Sequence, residues 1–235
     1  MAVETWNVDN LEFTIERKPR QKNLYIKLRP ETGAIHVSAP KNMAKTKIVD
    51  FIRIHAKTLK ARQTQIKYKL LTAPKLVTGD IVPLWGEEKS LIVEDTNLKP
   101  AYSYDGQELT LKTSRNGIED KKQLLRLWYK EELEARLPKV TCACEAKTGL
   151  HATSYHVRHM KTRWGSCTHE TGRIRLASKL AMYAEECLAY VVIHELIHLE
   201  EPNHGVGFYK RLEEVMPEWK KYRSMLREGR NISLD

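Results

Sequence analysis

The 235-residue sequence predicts an α+β fold, with a mainly antiparallel β region and one long helix first, and a helix-rich half with a small sheet after it. Three observations predict this division. Short alternating apolar runs between turn residues are typical of strands in the first half. An apolar period of helical spacing occupies residues 42–70, and longer helical periods begin at Asp120. We therefore expect a boundary near residue 118, between a region of residues 1–118 and a domain of residues 119–235.

The strands of the first half are predicted from apolar alternation bounded by glycine, proline and aspartate. No internal repeat is evident in the sequence. The expected strands are residues 11–16, 24–28, 34–38, 76–78, 81–85, 90–94 and 108–112, with the helix of residues 42–70 between the third and the fourth.

The second half begins with a long helix from Asp120, which Pro138 is expected to kink or end because proline cannot donate the helical hydrogen bond. The pattern then alternates before helices return. The remaining expected elements are a strand at residues 153–157, a hairpin of Arg163–Cys167 and Arg173–Leu176, a buried helix around residues 188–199, a helix after His204 and a last helix from Pro217.

The buried helix carries the motif His194-Glu195-Leu196-Ile197-His198. Residues four apart lie on one helical face, so His194 and His198 present both imidazoles to one point. Zinc accepts such nitrogen ligands at about 2.0–2.1 Å. Glu195 lies about 100° around the helix from His194 and can act as general base toward water without being a ligand. The pattern predicts a hydrolytic metal site.

His204 is the expected third ligand. Pro202 ends the helix soon after the motif, and Asn203 readily adopts a turn, so the chain can return His204 to the metal. Three protein ligands leave a fourth position for water, which is typical of a catalytic site. One Zn²⁺ ion is the expected cofactor, although cobalt, nickel or iron also suit imidazole ligands.

A wider set of residues resembles the YgjP-like metallopeptidase family, which is similar to SprT-like and WLM-type zinc proteases. The resemblance extends from about Lys161 to Trp219. It implies a zincin-like catalytic domain and a zinc-dependent peptidase. The residues that carry it are the motif with Leu199, Asn203, His204 and Phe208, preceded by Lys161-Thr162-Arg163-Trp164-Gly165-Ser166-Cys167 and Tyr190-Val191-Val192. The ligand spacing is also that of metzincins, but Glu201 stands where their tight turn needs glycine.

Arg163, Trp164, Gly165 and Ser166 are candidates for the substrate-binding strand. An extended peptide can pair with an exposed strand edge through its backbone, which gives affinity that tolerates many sequences. The alternative is a structural hairpin in which Trp164 packs in the core and Gly165 marks a bulge. The sequence leaves both interpretations open.

Such sites often need a further group that stabilises the developing oxyanion. The sequence does not choose among its candidates, which are His156, His159, Arg163, Arg175 and Tyr209. Glu213 or Glu214 is a candidate for orienting His204 from behind.

Composition limits the setting of this site. Cys142, Cys144, Cys167 and Cys187 form no recognisable disulfide framework, and buried or incidental thiols are expected. The N-terminus lacks a signal-peptide pattern, and no apolar run reaches the roughly 18 residues of a membrane span. We therefore expect a cytoplasmic protein that does not enter membranes.

The formal net charge is +10, and the basic residues are concentrated in the first half. Its predicted helix carries Lys57, Lys60, Arg62, Lys67 and Lys69. Such a stripe is typical of a solvated helix face, and it also suits nucleic acid or another acidic partner.

Four functions are therefore compatible with the sequence. The first is a zinc-dependent peptidase that acts on proteins or peptides. The second is a metal-dependent amide or ester hydrolase of a small molecule, which would need the same catalytic groups. The third is a SprT-like protease that its basic half recruits to nucleic acid. A purely structural zinc domain is disfavoured, because Glu195 would have no purpose and one coordination position would stay open.

Overall fold

The computed structural model describes residues 3–72, 75–113 and 117–229, with the side chains of residues 69–72 left out. The chain divides into two compact units, residues 1–73 and residues 74–235. No helix within the described ranges combines the length and hydrophobicity that crossing a membrane requires.

The first unit is a four-stranded sheet followed by one helix. The strand order is β1-β2-β4-β3, in which β2 and β4 are parallel and the other neighbours antiparallel. Phe13, Ile15 and Val37 from the sheet and Ile48 and Ile52 from the helix are buried in one core. The elements are β1 (Val3–Val8), β2 (Leu11–Lys18), β3 (Tyr25–Leu28), β4 (Ile35–Pro40) and α1 (Lys45–Thr72).

The second unit begins with the same arrangement. Its first sheet has the order β5-β6-β8-β7, with β6 and β8 parallel and the other neighbours antiparallel, and a long helix follows it. The first two strands of each sheet are joined by two residues with positive φ, Asp9-Asn10 and Trp85-Gly86. The elements are β5 (Ile81–Leu84), β6 (Glu87–Asp95), β7 (Ala101–Tyr104), β8 (Glu108–Thr113) and α2 (Ile118–Thr148).

The rest of the second unit is a small sheet with three helices. The sheet has the order β10-β11-β9, so β10 lies at an edge. Strands β10 and β11 are antiparallel, and β11 and β9 are parallel. The elements are β9 (Ser154–Arg158), β10 (Gly165–Thr168), β11 (Arg173–Ala177), α3 (Glu185–Ile197), α4 (Val206–Val215) and α5 (Trp219–Glu228).

The α+β class is confirmed, and the β-rich first half forms two mixed sheets, each with one parallel pair. The boundary between the compact units lies between residues 73 and 74, not near residue 118. The reason is that β5–β8 share one hydrophobic core with α2 and α3, in which Leu91 and Leu109 are buried together with Trp128 and Val192. The change of pattern near residue 118 marks a change of element inside a compact unit.

Three local expectations are corrected. Residues 76–78 form no strand, and Leu76 instead has a positive φ while its side chain is buried. Strands β1 and β7 were not expected. Both lie at sheet edges, and apart from Val8 their side chains are exposed or half-buried, so they carry no clear pattern of buried apolar residues. Helix α2 continues through Pro138 to Thr148, because its buried residues on both sides of the proline, such as Leu133 and Cys144, belong to the core.

Candidate active site

Helix α3 carries the first half of the site. Glu185 and Glu186 lie in its first turn, where acidic side chains interact favourably with the helix dipole. Residues on almost every face of the helix are buried, as the continuous apolar sequence predicts. His194 and Glu195 are therefore held on a rigid element inside the core, with Glu195 only 6% exposed.

The turn after α3 returns the chain to the motif. The helix ends at Ile197, and His198 is its C-cap residue. The Nδ1 atom of His198 lies 2.9 Å from the carbonyl oxygen of Glu201, which directs the other ring nitrogen away from that turn. His204 follows Pro202 and Asn203 and precedes α4.

The three histidines converge. One nitrogen from each of His194, His198 and His204 lies within 4.8 Å of the others, and the Nε2 atoms of His194 and His204 are 3.0 Å apart. The three ring centroids all lie within 4.8 Å of the centroid of Phe208, a fully buried residue of α4. Phe208 is thus an apolar support that all three imidazoles share.

This donor set fits a metal ion. Burial and the neighbouring His198 and His204 rings lower the pKa of His194 to about 3, so its imidazole is neutral at ordinary pH. Burial also lowers the pKa of His204. Neutral imidazoles with facing nitrogen atoms are the ligands that zinc accepts. Within the described ranges, no other group of three His, Cys, Asp or Glu side chains converges in this way.

The environment of Glu195 brings the pKa of its carboxyl group close to neutral pH. Burial raises its pKa to about 7, while the backbone N–H of Cys167 and the positive charge of Arg163 act in the opposite direction. A carboxyl group with such a pKa can both accept and release a proton near pH 7.

Strand β10 passes very close to this carboxylate. A Cβ atom at Gly165 would lie 2.7 Å from Oε1 of Glu195 and 2.9 Å from Cγ1 of Val191, which leaves room for glycine alone. The carbonyl of Trp164 accepts a hydrogen bond from the N–H of Ala177, on the β11 side. Because successive residues of a strand direct their backbone groups to opposite sides, those of Gly165 and Cys167 point to the free edge.

A cleft of about 360 Å³ opens beside His194 and Glu195. Of the four candidate substrate-binding residues, Arg163, Trp164 and Gly165 line it, whereas Ser166 does not. The ring of Trp164 also packs edge-on against Tyr183, with centroids 5.2 Å apart, so it contributes to both core and cleft. Tyr190 and Val191 of α3 and Arg223, Leu226 and Arg227 of α5 complete the lining.

The candidates for oxyanion stabilisation lie in different places. Arg163 lines the cleft, and the ring centroid of Tyr209 is 6.3 Å from that of His204. His156 contacts Ser154 of its own strand, and Arg175 donates to Thr168. His159 lines a different cleft, together with Lys99 and Ser178.

Glu213 and Glu214 do not contact the histidines. Glu213 accepts a hydrogen bond from the indole N–H of Trp219 and pairs with Lys220, and Glu214 lies 3.9 Å from Arg211. The oxygen behind a histidine is instead the backbone carbonyl of Glu201. Sequence reasoning did not identify that carbonyl, because any residue type can supply it.

The cleft residues of α5 were also not anticipated. Arg223 and Arg227 are far from the motif in sequence, and surface arginines are common. Their spacing of four residues on an amphipathic helix was the available signal, since it places both on one face.

All four cysteines are free, in agreement with the absence of a disulfide framework.

Comparisons with known proteins give one extensive match. A family model described as the YgjP-like metallopeptidase domain matches residues 22–229. The zymogen of the metallopeptidase abylysin from Pyrococcus abyssi is similar to this chain, with 25% identity, a TM-score of 0.36, and coverage of 41% of this chain and 98% of that one. The zymogen of the metallopeptidase jannalysin from Methanocaldococcus jannaschii is similar too, with 22% identity, a TM-score of 0.35, and coverage of 39% of this chain and 93% of that one. No curated protein matches the chain.

Proposed function

Since the chain belongs to the YgjP-like metallopeptidase family and is a metal-dependent peptidase, we propose that it hydrolyses peptide bonds with one zinc ion held by His194, His198 and His204. The observation that carries this proposal is the convergence of three imidazoles directly beside a buried carboxyl group. When bound, zinc supplies a Lewis acid that polarises the substrate carbonyl and makes water more acidic.

Glu195 is the proposed general base. It accepts a proton from the attacking water and delivers it to the leaving amine, for which its pKa of about 7 is suited. The N–H of Cys167 holds the carboxylate in place, and Gly165 allows the strand to approach it. Arg163 or Tyr209 is the proposed oxyanion-stabilising residue, since both lie beside the cleft or the histidines.

The free edge of β10 is the proposed binding site for the substrate peptide. Backbone groups of Gly165 and Cys167 point to that edge, and the N–H of Cys167 is already bonded to Glu195. An extended peptide can pair there, next to Glu195, through the N–H and carbonyl of Gly165 and the carbonyl of Cys167. A strand at the edge of its sheet favours peptides over the small-molecule amide or ester that the same catalytic groups could hydrolyse. A structural zinc domain would have no use for a buried carboxyl group beside its metal.

The test compares Glu195→Gln with Glu200→Gln, a matched change at an exposed residue of the same region. We expect Glu195→Gln to retain zinc by elemental analysis and to lose at least about hundredfold in peptide hydrolysis, because its side chain cannot take a proton. Glu200→Gln should behave as wild type, and alanine at any of the three histidines should release the metal. Full activity of Glu195→Gln would refute the mechanism.

A second function is favoured by the charge distribution. Residues 1–73 contain 15 lysines and arginines and 6 acidic residues, a net charge of +9 out of +10 for the chain. The exposed residues of α1 include Lys57 and Lys67, while Lys60 donates to the carbonyl of Asp9 and the side chain of Lys69 lies outside those described. This first unit therefore suits recruitment of the peptidase to nucleic acid.

A further inference from the structure

The cleft beside His194 and Glu195 combines an apolar wall with a cationic rim. Tyr190, Val191 and Leu226 are buried and contribute the wall. The rim consists of three exposed arginines, Arg163, Arg223 and Arg227. A ligand in this cleft can therefore contact hydrocarbon with its apolar part and guanidinium groups with an anionic part.

Two elements bring these arginines together. Arg223 and Arg227 are four residues apart on α5, so they lie on one face of that helix. Arg163 immediately precedes Trp164, which leads into β10. Arg163 and Arg223 line the same cleft as His194 and Glu195. The positive charge therefore adjoins the reacting groups.

No acidic side chain within the described ranges forms an ion pair with any of the three. Basic residues nearby do have such partners: Arg136 pairs with Glu185 at 2.6 Å, and Lys220 with Glu213 at 3.6 Å. Apart from the carboxyl group of Glu195, which lines the same cleft, the rim thus presents positive charge without an ion-pair partner among the described residues, and such charge attracts an anionic ligand.

We propose that this cleft selects peptides with a carboxylate next to the bond that is cleaved, and that Arg223 and Arg227 are the specificity-determining residues. The inference rests on the proposed peptidase function of the same site. A glutamate side chain fits best, because its methylene groups can lie along Leu226 and Val191 while its carboxylate reaches a guanidinium fork. A C-terminal carboxylate offers the same chemistry from a different source.

The first experiment measures kcat/KM for peptides that differ only at the residues flanking the cleaved bond. Glutamate, glutamine and lysine are compared in C-terminally amidated peptides, and a glutamine peptide with a free C-terminus forms a separate arm. We expect the glutamate peptide to be favoured over the glutamine peptide by about tenfold, since two exposed ion pairs contribute up to about fivefold each. If instead the free C-terminus gives the preference, that carboxylate is the ligand.

Variants then assign the preference to α5. In the double variant Arg223→Gln/Arg227→Gln, the glutamate-to-glutamine ratio should fall close to one, and Arg227→Glu should raise the relative rate of the lysine peptide. Lys221→Gln is the matched control, because Lys221 is exposed on the same helix and does not line the cleft. Its ratio should equal that of wild type. At an ionic strength of about 1 M, where charges are screened beyond about 3 Å, the preference should weaken.

Binding gives a readout that does not depend on hydrolysis. Labelled glutamate and glutamine peptides are titrated into zinc-loaded Glu195→Gln protein, with and without the two arginine substitutions. Tighter binding of the glutamate peptide that the double variant loses would support the inference even if wild type cleaves no peptide, a result that would refute the proposed function alone. Equal affinities and equal kcat/KM for all amidated peptides and for the free C-terminus would overturn the inference.

Discussion

Single residues fix the distance between strand β10 and the carboxylate of Glu195, the proposed base. Gly165 is such a residue, because any Cβ atom there would overlap with both Glu195 and Val191. Phe208 is another, because its ring contacts all three histidines while its side chain is fully buried. Small changes at these positions act on the geometry of the reacting groups without removing any of them.

Gly165→Ala should reduce peptide hydrolysis by about tenfold to hundredfold while zinc remains bound. The added Cβ would lie 2.7 Å from Oε1 of Glu195, so the carboxylate must move, and displacements of about 1 Å can cost that much activity. The measurements are kcat and zinc content. Gly117→Ala is the control, since the Cβ atom there would meet no atom closer than 3.6 Å. Equal activity of the two variants would contradict the close approach.

The raised pKa of Glu195 makes the stability of the metal-free protein depend on pH. Burial raises this pKa from 4.5 to about 7, so the folded state holds the proton more tightly than the unfolded chain. The contribution of Glu195 to the free energy of unfolding is fully present below about pH 4.5 and is lost as the pH rises through about 7. The shift corresponds to about 3 kcal/mol.

Urea unfolding of the metal-free protein measures this effect. Between about pH 5 and pH 8, the free energy of unfolding of wild type should fall relative to that of Glu195→Gln by up to about 3 kcal/mol. The comparison cancels the titration of other groups, which the two proteins share. Parallel pH profiles would show that Glu195 is not desolvated in the metal-free fold.

At the scale of elements, the turn between β5 and β6 is attached to the start of α3. The N–H of Trp85 donates to the carbonyl of Ala181 at 2.7 Å, and the guanidinium of Arg136 lies 4.7 Å from the Trp85 ring. Arg136 also pairs with Glu185, the first residue of α3. The sheet thereby helps to position the helix that carries His194 and Glu195.

Gly86→Ala should destabilise the protein more than Gly106→Ala does. Both glycines have positive φ, +86° and +102°, so both substitutions cost about 1–2 kcal/mol in backbone strain. At Gly86 the new Cβ would also lie 3.2 Å from the backbone nitrogen of Ala184, whereas at Gly106 it would meet no atom within 4 Å. Free energies of unfolding in urea provide the comparison. Equal losses would show that the contact of the turn with Ala184 is not tight.

At the scale of the whole molecule, two units of different charge share one topology. Each contains a four-stranded sheet with the same order and pairing, followed by a long helix, although the sequence shows no repeat. The unit of residues 74–235 contains the histidines and has 25 basic and 24 acidic residues. Residues 1–73 have almost all of the net charge.

Nucleic-acid binding by the first unit is tested in the full chain. Glutamine at Lys57, Lys60, Lys67 and Lys69 should weaken DNA binding and reduce the slope of log K against log salt by about 0.9 for each phosphate that the protein no longer neutralises. Fluorescence anisotropy at several salt concentrations measures both. The control neutralises four lysines of the second unit, Lys112, Lys130, Lys210 and Lys220. Equal effects of the two sets would indicate nonspecific attraction, and unchanged affinity would refute recruitment.

The residues that could be predicted from the sequence belong to one local segment. The pattern from His194 to His204 depends on helical spacing, on a proline that ends the helix and on a short turn that brings the chain back. All three operate within this one segment. The strands with clear alternation and the long helices followed from equally local patterns. The edge strands β1 and β7 did not, because pairing with a neighbour defines them.

Long-range packing supplies the rest of the site. Gly165 meets Glu195, and Arg223 and Arg227 meet the cleft, because β10 and α5 pack against α3 from distant parts of the chain. Burial by those elements also sets the pKa of Glu195, which the motif by itself leaves at its ordinary value. A spacing rule identifies groups that share one helix face, whereas solvent exclusion and charge around them depend on which other elements are placed there.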